Sequence, residues 1–196
     1  MEMSTKLLFT LPLWQKKIIN QIIKEQDKEE PNKELIEKAK NACLKTQDEN
    51  FIFAFAYYCY NYYYKKESID FLLKKDASKW AMPCATEVLH TLKNRYICID
   101  ALIEVGDCET LYKFAKKFGH NEEIQNYLMG IYEVDLVLDY AENIKGADLN
   151  KIGEFIKGYR ISDSDKERFD KIYKNKLKKS KSLEQSLKLM GEEIEK

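Results

Sequence analysis

Six of the eight residues from Tyr57 to Tyr64 are tyrosine, at the end of the segment FIFAFAYYCYNYYY that spans 51–64. A tyrosine carries a large apolar ring with a polar tip, a combination enriched at protein interfaces and suited to binding rather than to breaking bonds. At about 100° per helical residue the rings cannot share one face. On a continuous helix Ile52, Phe55, Ala56, Cys59 and Tyr63 line the core side. Tyr57, Tyr58, Tyr60 and Tyr64 then point elsewhere and are the candidate contacts for a protein partner.

A second cluster is KNKLKKSK, where Lys174, Lys176, Lys178, Lys179 and Lys181 fall within eight positions. Such a run suits phosphate backbone or an acidic partner. Arginine, the main reader of base edges, occurs only as Arg95, Arg160 and Arg168, so nucleic acid is the alternative and a protein the first expectation. Between 99 and 155, acidic residues outnumber basic ones twelve to five. Charge of opposite sign in different stretches favours an oriented partner or self-association.

Catalytic signatures are absent from the sequence: there is no G-x-S-x-G, P-loop, H-E-x-x-H or glycine-rich fingerprint. His90 and His120 have no ligand-like spacing, and Cys43, Cys59, Cys84, Cys98 and Cys108 form no C-x-x-C pair. The expectation is a chain without catalysis, cofactor or metal. Its odd number of cysteines fits a reducing cytoplasm. The opening MEMSTKLLFTLPLWQ has an apolar stretch at 7–14 but an acidic Glu2 and no basic n-region, so neither a signal peptide nor a membrane span is expected. Lys+Arg and Asp+Glu number 33 each, which leaves no global field to select a polyanion.

The elements that position these clusters follow from periodicity. Three prolines and seven glycines in 196 residues, with no period-2 alternation, predict an all-α chain. Helices are expected at about 12–26, 33–46, 48–63, 67–75, 77–91, 95–105, 107–118, 121–130, 133–144, 148–158 and 164–193, with Pro83 kinking or splitting the fifth.

Residues 42–58, ACLKTQDENFIFAFAYY, return in altered form at 101–117 as ALIEVGDCETLYKFAKK. Counting four, seven, eight and eleven residues from Asp48 gives Ile52, Phe55, Ala56 and Cys59; from Asp107, Leu111, Phe114, Ala115 and Phe118; from Glu133, Val137, Tyr140, Ala141 and Ile144. Those offsets trace one helical face. Asp76 and Asp165 anchor two weaker copies. Gly106 before Asp107, Gly119 before Asn121 and Gly146 before Asp148 supply a helix stop followed by a helix cap.

Anchors spaced by 28, 31, 26 and 32 residues, with D-x3-[IL]-[FY]-x-F-A in the two best copies, resemble degenerate helix-hairpin repeats of the HEAT-like or tetratricopeptide-like kind. The W-x2-L-G-x2-Y and T-P-L-H patterns are absent, so no functional residue transfers from a named family. The resemblance implies a short α-solenoid of about five antiparallel hairpins over 33–176. An N-terminal capping region would occupy 1–32, and 177–196 a lysine-rich amphipathic helix carrying Leu183, Leu187, Met190 and Ile194. It also implies use in macromolecular binding. The function expected is steric occlusion of a protein partner in the cytoplasm. One version is a phage or bacterial inhibitor of a host defence enzyme, the role of anti-CRISPR proteins; another is a host adaptor.

Overall fold

A computed structural model describes residues 10–194, with side chains described for 10–91 and 94–179. The described residues form ten α-helices and one π-helical turn, with no strand. In chain order these are α1 (Leu13–Gln26), α2 (Lys33–Thr46), α3 (Glu49–Tyr58), α4 (Tyr62–Pro83), the π turn (Cys84–Val88), α5 (Leu92–Val105), α6 (Cys108–Phe118), α7 (Glu122–Gly130), α8 (Val134–Asn143), α9 (Leu149–Gly158) and α10 (Asp163–Ile194). None is long and apolar enough to cross a membrane. Two compact units meet between Thr110 and Leu111.

Polar caps set most helix starts. Asn32, Asp48, Asn61, Thr91, Asp107, Asn121 and Asp148 each accept a hydrogen bond from a backbone N–H in the turn that follows. Asp76 does the same inside α4: its φ of −162° and ψ of 91° interrupt the helix, and its carboxylate accepts from Lys79 N–H at 3.0 Å. Gly106, Gly119 and Gly146 have φ of 73°, 95° and 88°, the left-handed stop expected before each following cap.

Two anchors differ from expectation. Glu133 precedes α8 without a side-chain cap, the chain having turned through Tyr132 at φ 61°. Asp165 lies within the first turn of α10, where the Ser162 hydroxyl accepts the Asp165 N–H. The helix expected over 48–63 also ends early, at Tyr58, and a new one starts at Tyr62. Pro83 ends the regular part of α4. Beyond it the ladder relaxes to an i→i+5 register, with Leu89 N–H donating to Cys84 O at 2.8 Å. Arg95 then donates from Nε to the carbonyls of Ala85 and Leu89.

The positions shared between the sequence copies are core with one exception, Phe118, which is half-buried. Ile52, Phe55, Ala56 and Cys59, then Leu111, Phe114 and Ala115, then Val137, Tyr140, Ala141 and Ile144 are all buried. In the first unit, Gln15 near the start of α1 donates to Asp48 at the start of α3, while Gln26 at the end of α1 bonds both sides of the end of α3. Those two helices therefore run parallel. Trp80 of α4 sits 5.2 Å from Phe53 and donates its indole N–H to Glu49, which fastens the second half of α4 along α3.

In the second unit, Gln125 of α7 exchanges two hydrogen bonds with the backbone of Asp148, and Lys151 pairs with Glu122, so α7 and α9 start side by side. Arg168 of α10 reaches Asp139 and Glu142 of α8, and Lys176 donates to the Ile144 carbonyl just beyond it, so α8 and α10 also run parallel. A Cβ added to Gly153 would meet the Phe169 ring at 3.3 Å, which explains a glycine where α9 and α10 approach.

Candidate partner-binding surfaces

The tyrosine cluster straddles a turn. Cys59 and Asn61 are extended, so the chain leaves α3 and re-enters helix at Tyr62 with Asn61 capping Tyr63 N–H at 2.9 Å. Gln26 of α1 holds this turn from both sides, donating to Tyr58 O at 3.0 Å and accepting Tyr60 N–H at 2.6 Å. A loop whose backbone bonds are met by a helix side chain is held in place.

The break resets the helical phase and changes which rings face outward. Tyr63, expected on the core side, is 68% exposed, and Tyr60 is 62% exposed, with Tyr62 at the edge of exposure. Tyr57, Tyr58 and Tyr64 are half-buried. Their rings stack edge to face, Tyr57 on Tyr58 at 4.8 Å and Tyr63 on Tyr64 at 5.5 Å. Of the four tyrosines named from sequence, Tyr60 is the exposed one. Tyr62 and Tyr63 were missed, and Asn61, a capping residue type between two aromatic runs, was the signal for the break.

Two buried lysines stand beneath the turn. Lys40 is 1% exposed, yet burial, which opposes its charge, is outweighed by Glu37 and Glu67, each at 2.7 Å, and its pKa lies above the usual lysine value. Its ammonium also faces the Tyr64 ring at 6.0 Å. Lys65 is buried too; burial lowers its pKa, opposed by the Cys59 thiol.

The lysine run divides. Lys174, Lys178 and Lys179 are exposed, while Lys176 is half-buried and tied to the Ile144 carbonyl at 3.0 Å. Burial first, and Lys179 second, lower the Lys176 pKa. Lys181 and the stripe of Leu183, Leu187, Met190 and Ile194 lie outside the residues whose side chains are described. Lys176 and Lys179 are joined by Lys145 around a concavity of about 710 Å³ between the end of α8, the loop to α9 and α10. Lys145 lies 31 positions from Lys176, and only the fold brings it there.

Four of the five thiols are buried, and burial pushes Cys43 and Cys98 up to about 12 and holds Cys59 and Cys84 above the usual value. Thiols in that state are poor nucleophiles at neutral pH. His120 places Nδ1 3.0 Å from the Tyr140 hydroxyl, which also donates to Asn121 O and accepts Asn121 N–H. That network fixes the turn into α7. Compared with models of known families, with curated proteins and with solved structures, the chain matches none.

Proposed function

We propose that the chain is a non-catalytic protein-binding module made of degenerate helix hairpins, which lays a preformed surface over the working face of another protein. The observation that carries this reading is the tyrosine turn: Tyr60, Tyr62 and Tyr63 are exposed on a backbone that Gln26 and Asn61 already hold. Aromatic anchors on a fixed backbone bind with little ordering cost. The repeat reading is supported, within each unit, by parallel registers between alternate helices and by the burial of the shared offsets. Inhibition of a cytoplasmic host defence enzyme by steric cover is the version that needs the least chemistry. The test is capture of partners from the native host by the intact chain and by a Y60A/Y63A variant. A partner held by the first and lost by the second, at unchanged circular dichroism, supports the reading; equal capture moves the site elsewhere.

The gathering of Lys145, Lys176 and Lys179 favours a second reading, a nucleic-acid binder. Affinity for a DNA or RNA oligonucleotide that falls steeply with salt would support it, and no binding at low salt would remove it.

A further inference from the structure

The α4–α5 pair of the first unit encloses a groove of about 450 Å³. Its apolar lining includes Leu73, Ile97 and Val105, the last 57% exposed. Asp100 and Glu104 stand in the same groove, and neither has an ion pair among the described residues. Positions 97, 100, 104 and 105 follow the i, i+3, i+7, i+8 spacing of a single helical face. Asp70 and Lys74 also line the groove; Asp70 is engaged by Lys66 at 2.7 Å and Lys74 adds one positive charge, so the two carboxylates of Asp100 and Glu104 leave the groove net negative and supply the attraction for a cation. An apolar channel edged by carboxylates matches an amphipathic helix that carries lysines.

The chain itself bears such a helix. On α10, Lys171, Lys174 and Lys178 are exposed at i, i+3 and i+7, none with an ion pair among the described residues, and Leu177 beside them is 45% exposed. We propose that α10 of a second copy of this chain docks in the α4–α5 groove, with Lys174 and Lys178 against Asp100 and Glu104 and Leu177 over the apolar lining. This surface is distinct from the tyrosine turn and does not depend on it. Because the two faces differ, the contact is heterologous: two copies joined by a single such contact retain one open groove and one open helix, and association continues until a ring closes, reciprocal docking of two copies being the smallest.

Sedimentation velocity of the full chain, from low to several hundred micromolar, tests this at about 50 mM and about 500 mM salt. Concentration-dependent association at low salt that weakens at least tenfold at high salt is expected. D100K/E104K and K174E/K178E should each weaken it by a similar factor at unchanged circular dichroism. All four reversals in one chain should restore it, since the charges again oppose. A chain that stays monomeric at low salt, association untouched by either reversal, or failure of the fourfold variant to recover would each overturn the proposal. A monomeric chain that binds a separate lysine-rich helical peptide would assign the groove to another basic protein instead.

Discussion

Replacing Gln26 by methionine keeps the length and volume of the side chain and removes both of its bonds to the tyrosine turn. The structure sets the size of the effect. Tyr58 O loses a donor at 3.0 Å and Tyr60 N–H loses an acceptor at 2.6 Å. Two such bonds contribute about 1–3 kcal/mol together. Tyr60 is exposed, so water replaces part of its bond, and the expected loss is about 1–2 kcal/mol. For a chain of this length that is a fall in Tm of about 2–8 °C. The two tryptophans, Trp14 and Trp80, both lie in the first unit, so their fluorescence in a urea titration follows the unit that holds Gln26. The midpoint should fall at unchanged slope, and the Tyr60 amide should exchange faster. Gln26→Glu keeps the acceptor for Tyr60 N–H but sets a carboxylate against the Tyr58 carbonyl, and should cost at least as much. An unchanged midpoint with unchanged Tyr60 protection in Gln26→Met would refute the claim that this side chain holds the turn.

Glu49 has its pKa held below the usual carboxylate value, first by Lys79 and then by the Trp80 indole N–H. Its contribution is present above the ordinary value of 4.5 and is lost as pH falls through the lower folded value, so Glu49→Gln should be less stable at neutral pH and converge with the parent in acid. Lys40 has the opposite sign: its raised pKa contributes below the ordinary 10.5 and is lost as pH rises through the folded value, and Lys40→Met should flatten the alkaline limb of stability. Thiol titration of the native chain should find Cys108, the half-buried one, reacting first, with Cys43, Cys59, Cys84 and Cys98 reacting only on unfolding; rapid reaction of all five would contradict the burial. Ala115→Phe, at a position 1% exposed in the core of the second unit, should overpack the contact and cost about 1–3 kcal/mol by chemical denaturation.

Local chemistry made much of the fold legible. The α2 boundaries, 33–46, fit Asn32 as cap and the buried spacing of Ile36, Lys40 and Cys43, the middle one a lysine that Glu37 on the same helix and Glu67 from α4 together make tolerable. The glycine-then-cap pairs at 106–107, 119–121 and 146–148 were readable because left-handed backbone and side-chain capping depend on single residue types. Periodicity failed at 59–61, since tyrosines fit either face of a helix and hide a break between them. Asn61 marks that break locally as the cap of the next helix, and Gln26, 34 positions before Tyr60, holds it. The candidate surfaces inherit this limit: the tyrosine and lysine runs were visible, but which rings face outward, and that Lys145 joins Lys176, depend on tertiary placement.

Exposed tyrosines on a held turn are the proposed anchor for a protein partner. The most direct measurement is the dissociation constant of a captured partner for the intact chain and for Y60A/Y63A. A weakening of about 30-fold or more, equivalent to about 2 kcal/mol, is predicted with the fold unchanged. Equal affinity of the two chains would contradict it.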